Sequence, residues 1–489
     1  MPLALDPLLD RLLPLLADEA QPVHIVGGAV RDALLGRPGH DIDLIVPTGA
    51  TALTERLARR LRLPWFALDD SRDVARIFSG DTTLDIARYR GESFAEDLRG
   101  RDFTINALAL PIAGRNRADV IDHHGGLADL EAGLVRAIHA GSISDDPVRA
   151  LRAARFVIQL HFNVTAETLA AVRDAGPTLS SRTSPERLRD ELSRMLALAT
   201  PAPAIARLDT WGLLDSVLPE VAALRGLDQS PPHHEAVLPH TLRVLRYLVE
   251  VEQVIDGGVV SAIWAEAAGR VLAPYRQRLV AHLDETLDGG VRGRLLLRWA
   301  ALFHDSGKAL TRTVDETGRI RFLGHDEAGA KSTAAALNRL KFSGEAVRRV
   351  RDTVDGHMRP LLLATEGRAP SARAVYRYYR ALHASGIDVT LLALADHLAT
   401  YDGPGHEGRW ESLLDVAATL LEHYYEKREQ TVMPVRLLNG QAIMQLLGMG
   451  PGRELGQLIA QLEEAQAAGE VTSYDEAVIF LRRTRMGQS

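Results

Sequence analysis

The chain reads as an α+β protein, a small mixed-sheet head followed by a mostly helical body. Short β-branched runs that end in glycine pairs, glycine or proline are confined to the first 130 residues. From about residue 140 the apolar residues recur at helical spacing instead. The composition, 46% hydrophobic and 25% charged over 489 residues, is that of an ordinary globular chain of about three domains. It excludes a disordered chain, a coiled coil and a collagen.

Each element follows in order. VHIVGG (23–28) is a strand running into a turn, and AVRDALLG continues as a short helix that Gly36 stops. DIDLIV (41–46) alternates acid and aliphatic residues ahead of Pro47, the pattern of a half-buried strand. ARIFSG and DTTLDIARY (75–89) predict two more strands joined at a Gly-Asp turn. PVRALRAARFVIQL, SPERLRDELSRMLAL and PAIARLDTWGLLDSVLPEVAAL are amphipathic helical stretches. Residues 240 to about 425 are helical, interrupted at 288–290 and 366–371, and a final helical module follows the loop near 433–436. The expected division is a head over 1–140, a helical neck over 141–225, a second domain over 226–430 and a tail over 431–489.

Composition narrows the chemistry. There are no cysteines, so disulfides, thiolate-bound zinc and thiol catalysis are excluded, and any metal must be held by histidine and carboxylates. The net charge of −7 does not advertise nucleic acid, although a local basic stripe would suffice for it. Only four of the 57 basic residues are lysines. The first twenty residues lack a basic region and no long uncharged apolar run occurs, so a cytoplasmic protein without membrane association is expected.

The first constellation is GGAVRD (27–32) followed by DID (41–43). Gly27 and Gly28 let backbone N–H groups approach a triphosphate closely, with a helix N-terminus behind them. Asp41 and Asp43, two apart on a strand, project from one face and can bridge two Mg²⁺ ions, and Asp85 in TLDIARYR is the natural third carboxylate. DLRGRDFTINALAL (97–110), DHHGGLADL (122–130), DDPVRALRAARF (145–156) and SPERLRDELSRML (184–196) follow in order. With these motifs the sequence resembles the class II tRNA nucleotidyltransferases, relatives of CCA-adding enzymes and bacterial poly(A) polymerases, over about residues 22–220.

The resemblance implies roles. Asp41, Asp43 and Asp85 would be the catalytic, Mg²⁺-binding carboxylates. Gly27, Gly28 and Arg31 would meet the triphosphate, with Asp32 supporting the turn. Arg101, Asp102 and Asn106 would bind ribose and phosphates. Asp146 and Arg149 fall on the base-reading motif, where an acceptor and a donor fork offer a Watson–Crick-like edge, and Arg152 and Arg155 would neutralise phosphate or contact the nucleotide. Three departures stand out. Gly100 occupies a position that is usually arginine, Asp145 one that is usually glutamate, and the segment RYRGESFAEDL (88–98) is shorter than the family's flexible loop. That loop helps convert the pocket from CTP to ATP, and its absence is associated with enzymes that add only the two cytidines. The resemblance therefore implies CC addition to the tRNA 3′ end from CTP. Full CCA addition with ATP as well, poly(A) synthesis, and a phosphohydrolase with a non-catalytic RNA-binding head are the alternatives.

A second constellation lies in the helical region: His240, the adjacent pair His304-Asp305 after an apolar run, and Asp396. Imidazoles and carboxylates on packed helices suit a divalent metal, and burying such a pair costs free energy unless it is bound. The set resembles the HD phosphohydrolase superfamily, in whose two-metal members His325 and His357 would be further ligands. The implied metal is Ni, Mn, Fe or Co, or Mg²⁺, and the implied substrate a cyclic phosphate or phosphomonoester at an RNA end. His233 and His234, in a Pro-rich loop, are expected at the surface. In the tail, GMGPGRELG (448–456) between two helical runs resembles the family's C-terminal segment and favours tRNA contact.

Overall fold

The computed structural model describes residues 3–17, 19–37, 39–364, 368–405 and 408–486. The chain divides into two compact units, residues 1–187 with 210–216, and residues 188–209 with 217–489.

The first unit is built on a seven-stranded sheet. Its strands are β1 (His24–Val26), β2 (Asp41–Val46), β3 (Trp65–Asp69), β4 (Val74–Ser79), β5 (Thr82–Arg88), β6 (Leu108–Pro111) and β7 (Ile121–Asp122). They lie side by side in the order β3-β4-β5-β2-β1-β6-β7. All neighbours are antiparallel except β2 and β5, which run parallel in the middle of the sheet. The head is therefore the mixed sheet the sequence implies.

The alternation in DIDLIV does what its period requires. Ile42, Leu44 and Val46 turn one way and are buried, and Asp41 and Asp43 turn the other. Helix Ala50–Leu61 packs against β4 and β5, burying Leu53 and Leu57. Its first turn has no side-chain cap of its own. The carboxylate of Asp73 accepts from the N–H groups of Ala50 and Thr51 at 2.9 and 2.7 Å instead. After the sheet the unit is helical, with helix Val148–Leu160 the longest of its neck and helix Ala166–Ala175 packed on it.

The second unit is a helical body. Helix Val237–Asp256 packs against helices Gly293–Phe303 and Ser385–Tyr401, and helix Gly344–Gly356 against Gly293–Phe303, His325–Arg339 and Ser385–Tyr401. Helix Ser385–Tyr401 is buried on almost every side, which is why its sequence shows little amphipathic bias. The stretch read as one helical run over 203–224 is broken into Pro201–Thr210, Leu214–Val217 and Pro219–Ala222. Gly212, at φ 77°, and Pro219 are the interruptions. At the C-terminal end, helices Gly440–Leu447, Arg453–Ala467 and Tyr474–Met486 enclose a core of their own around Ile443, Leu458, Leu462 and Leu481.

Candidate functional site

In the head, register assembles the carboxylates. Asp43 of β2 lies directly opposite Asp85 of β5, and Asp41 opposite Thr83. The Thr83 hydroxyl donates to Asp41 at 2.6 Å. Asp43 and Asp85 both line a cavity of about 470 Å³. Asp43 faces this open cavity yet is closely surrounded by protein. Burial raises its pKa, Asp85 and Asp41 add to the rise, and Arg101 and Arg90 oppose it. Arg76 of β4, opposite Asp85 in the next register, donates to both its oxygens at 2.6 and 2.7 Å. A divalent ion at Asp85 would therefore share or displace that guanidinium. Arg76 was not singled out in the sequence, because it is the register between β4 and β5 that places it across from Asp85.

The glycine turn is shaped by its neighbours. Gly27 has φ 71°, and a Cβ there would lie 2.9 Å from Nη1 of Arg101 and 3.6 Å from Oδ2 of Asp43. Arg31, Asp32, Asn106, Asp102 and Arg152 form one chain of charge-assisted bonds. Arg31 donates to Asp32 at 2.8 and 2.9 Å and to Asn106 at 2.6 Å. Asn106 donates to Asp102 at 2.9 Å, and Arg152 pairs with Asp102 at 3.1 Å. Burial opposes charge on Asp102, but Arg152 with the bonds from Asn106 and the Phe103 N–H holds its carboxyl below the usual range. Arg101 donates to Asp97 at 2.9 and 3.2 Å. Phe156 carries the guanidinium of Arg31 at 5.0 Å and that of Arg155 at 4.4 Å.

The two base-reading candidates form a long ion pair, and each has closer partners of its own. Asp146 is gripped by Arg187 at 2.7 and 3.0 Å. Arg149 donates to the carbonyls of Gly100, Arg101 and Ser142, and its Nε is 3.8 Å from Asp146. Gly100, where an arginine is usual, thus contributes its carbonyl to Arg149 at 2.6 Å.

The helical unit gathers the second constellation into two adjoining groups, His240, His304 and Asp396, and Asp305, His325 and His357. Asp305 spans them. Its Oδ2 is 3.2 Å from His304 and 3.8 Å from His240, and its Oδ1 is 3.6 Å from His325 and 4.0 Å from His357. His240 lies 3.0 Å from Asp396. His304, His325 and His357 donate from Nδ1 to the carbonyls of Ala301, Phe322 and Val354, which aims each Nε2 inward. The Nε2 of His304 is buried without a hydrogen-bond partner among the described residues. That orphaned lone pair, amid carboxylates and imidazoles, fits a divalent ion. Burial, with His304 and His325 beside it, brings the pKa of His357 down to about 4, which leaves the imidazole neutral and able to donate a lone pair. Lys308 pairs with Asp305 at 2.8 Å and donates to Gln229.

His233 corrects an expectation. It is half-buried, stacks edge-on against His240 at 4.8 Å, and lines the same cavity of about 670 Å³ as Asp305, His325 and Asp396. The helix beginning at Val237 brings His240 inward, and the preceding loop is carried with it, whereas His234 is exposed. A short Pro-rich loop is hydrophilic by composition, which is why the sequence did not signal this.

Fold and sites together define a class, a nucleotidyltransferase head joined to an HD domain. The model of the poly A polymerase head domain matches residues 23–136, that of the probable RNA and SrmB-binding site of polymerase A residues 161–224, and that of the HD domain residues 237–401. An A-adding tRNA nucleotidyltransferase of Deinococcus radiodurans is 34% identical over 94% of each chain. A CC-adding tRNA nucleotidyltransferase of Thermus thermophilus is 34% identical over 95% of this chain and 94% of its own. The chain belongs to the family of tRNA nucleotidyltransferases that build the CCA terminus, and it is an enzyme. A CCA-adding enzyme solved with ATP shares the fold, with a TM-score of 0.61 at 21% identity over 98% of this chain and 94% of that one. No described helix is long and apolar enough to cross a membrane.

Proposed function

We propose that this enzyme adds the two cytidines of the tRNA 3′ end from CTP, without a nucleic-acid template, and that it works in the cytoplasm. The observation that carries the reading is the connection between β5 and helix Phe94–Arg99. It is five residues long and tied down at each end, by the Ser93 side chain to the Glu96 N–H and by the Asp97 carboxylate to the Arg90 N–H. A pocket that must serve two nucleotides in turn needs an element with two arrangements, and this connection has no slack for one.

In the reaction the primer 3′-hydroxyl oxygen bonds to the α-phosphorus, the bond to the bridging oxygen breaks, and pyrophosphate leaves with that electron pair. Asp41, Asp43 and Asp85 would hold Mg²⁺, which supplies Lewis-acid stabilisation of the phosphate charge. Gly27 and Gly28 would admit the triphosphate, and the bonded chain from Asp32 to Arg152 would keep Arg31, Asn106 and Asp102 in place. Asp146 and Arg149 would read the base once Asp146 exchanges Arg187 for it. The HD centre, with Ni, Mn, Fe, Co or Mg²⁺ on His240, His304, Asp305, His325, His357 and Asp396, would hydrolyse phosphates at RNA ends. The head (1–140), neck (141–225), HD domain (226–430) and tail (431–489) would act as separate modules, the tail on tRNA.

One further reading has a specific observation behind it: the A-adding Deinococcus relative is as similar as the CC-adding Thermus one. The test supplies tRNA lacking its last three nucleotides, or ending in CC, with labelled CTP or ATP. CC addition gives two CMP on the first substrate and no AMP on the second. AMP on the CC-ended tRNA alone marks an A-adding enzyme. CMP on the first and AMP on the second mark a CCA-adding enzyme, and long A tails mark a poly(A) polymerase.

A further inference from the structure

Four arginines, Arg72, Arg88, Arg90 and Arg101, line the head cavity. Arg101 is committed to Asp97, and Arg72 lies 3.6 Å from Asp69. The side chain of Arg90 makes no hydrogen bond and no ion pair to any described residue. Arg88 is likewise uncommitted, but only the backbone of Arg90 is tied to the carboxylate that also holds Arg101.

The backbone beneath Arg90 is constructed with care for so short a segment. Its N–H donates to Oδ1 of Asp97 at 2.9 Å, while Oδ2 of the same carboxylate receives Arg101. Asp97 is 1% exposed, so this one buried group fixes both arginines on the same wall. Next to it Gly91 has φ 91°, and a Cβ there would lie 2.6 Å from Oε2 of Glu96, which accepts from the Glu92 N–H at 2.7 Å. Protein around it and the nearby Arg101 work against the charge of Arg90, Asp97 and Asp102 support it, and the side chain stays open to the cavity. A guanidinium that lines this cavity, with Asp97 and Asp102 near enough to favour its charge but neither bonded to it, is free to meet an anion that arrives with the substrate.

We propose that Arg90 binds a substrate phosphate at the reacting centre, beside Asp43. Two sources carry that chemistry, the triphosphate of the incoming nucleotide and the terminal phosphodiester of the RNA. The short connection then has a second consequence: where it leaves no room for a moving loop, it delivers a fixed cation. The inference rests on the head being the nucleotidyltransferase centre.

The experiment compares the full-length wild-type chain with Arg90→Gln and Arg90→Lys, using truncated tRNA and whichever nucleotide the wild type incorporates. Arg90→Gln should raise one KM by about tenfold or more, and Arg90→Lys should recover most of it, since it restores charge without the fork. A rise in the nucleotide KM, matched by weaker equilibrium binding of that nucleotide without RNA, assigns the triphosphate. A rise in the tRNA KM alone assigns the RNA phosphate. Both KM values within about twofold of wild type in Arg90→Gln, whether or not kcat falls, overturn the proposal. If Arg90→Gln melts early, Arg90→Met, which keeps the aliphatic stem without the charge, takes its place under the same criteria. A wild-type chain that incorporates nothing would instead bring down the reading of the head itself.

Discussion

The two centres of this enzyme use carboxylates in opposite ways. In the head, Asp41 and Asp43 come from one strand and Asp85 from its parallel neighbour, and Asp43 and Asp85 line an open cavity. In the helical unit, His240, His304, Asp305 and His357 are all nearly inaccessible and come from segments up to 117 residues apart. The first site follows from a local rule, strand alternation plus one register pairing. The second exists only where several helices meet, and backbone carbonyls orient the rings of His304, His325 and His357. An open site is organised by charge partners such as Arg76. A buried one must satisfy every polar atom or bind something that does.

The sharpest break in the comparison is at the head. Asp43→Ala or Asp85→Ala should lower nucleotide addition by about 10³-fold or more, roughly 4 kcal/mol of transition-state stabilisation, with the circular dichroism spectrum unchanged. Wild-type incorporation by either purified variant would end the assignment. The helical unit gives the converse. His304→Ala with Asp305→Ala should abolish metal content and any release of phosphate from cyclic or 3′-phosphate RNA ends, and nucleotide addition should survive. Loss of both activities together would mean the centres are not separable.

A buried pair away from either centre calibrates the cost of uncompensated charge. Asp388 receives Arg349 at 2.6 and 3.1 Å and lies 2.8 Å from His282. Asp388→Ala leaves that guanidinium buried without its partner and should cost about 3–5 kcal/mol in chemical denaturation. Burial opposes the charge of Asp388, but His282 and Arg349 bring its pKa from 3.8 down to about 2. A depressed pKa stabilises the fold above pH 4, and that stability is lost as the pH falls from about 4 toward 2. The contribution is about 2 kcal/mol. Acid titration of the wild type should show this loss, and Asp388→Asn should lack it. The smallest effect is expected at the connection after β5. Ser93→Ala removes one helix cap, about 1 kcal/mol, measurable as faster hydrogen exchange over residues 89–97. Unchanged exchange there would show that Asp97 and Glu96 hold the connection without it.

The head was largely legible. Asp41, Asp43 and Asp85 share a face because side chains alternate with period two, and β2 and β5 needed only to be adjacent for the three to meet. What the chain order could not convey was Arg76, since a cation on a strand is ordinary until its cross-strand partner is known. The same holds for Arg31, whose guanidinium is held by Asp32 and Asn106, 75 positions from it. In the HD region the candidate ligand set was legible as an ordered series of residue types, because a polar pair after an apolar helical run demands an explanation. His233 was not, because a loop carries no periodicity from which its burial can be read.

The sequence by itself therefore determined the sheet's in-and-out pattern, the helical character of the body, the exclusion of cysteine chemistry and the residues available to hold metal. Those are consequences of local periodicity and of side-chain chemistry, which need no knowledge of neighbours. Only the tertiary structure decided which cations are spent and which are free, that Asp305 spans two candidate ligand groups, and that Arg149 reaches three carbonyls besides the neighbouring Asp146. Those depend on distances between segments far apart in the chain, and a charge has no fixed role until the groups within a few ångströms of it are known.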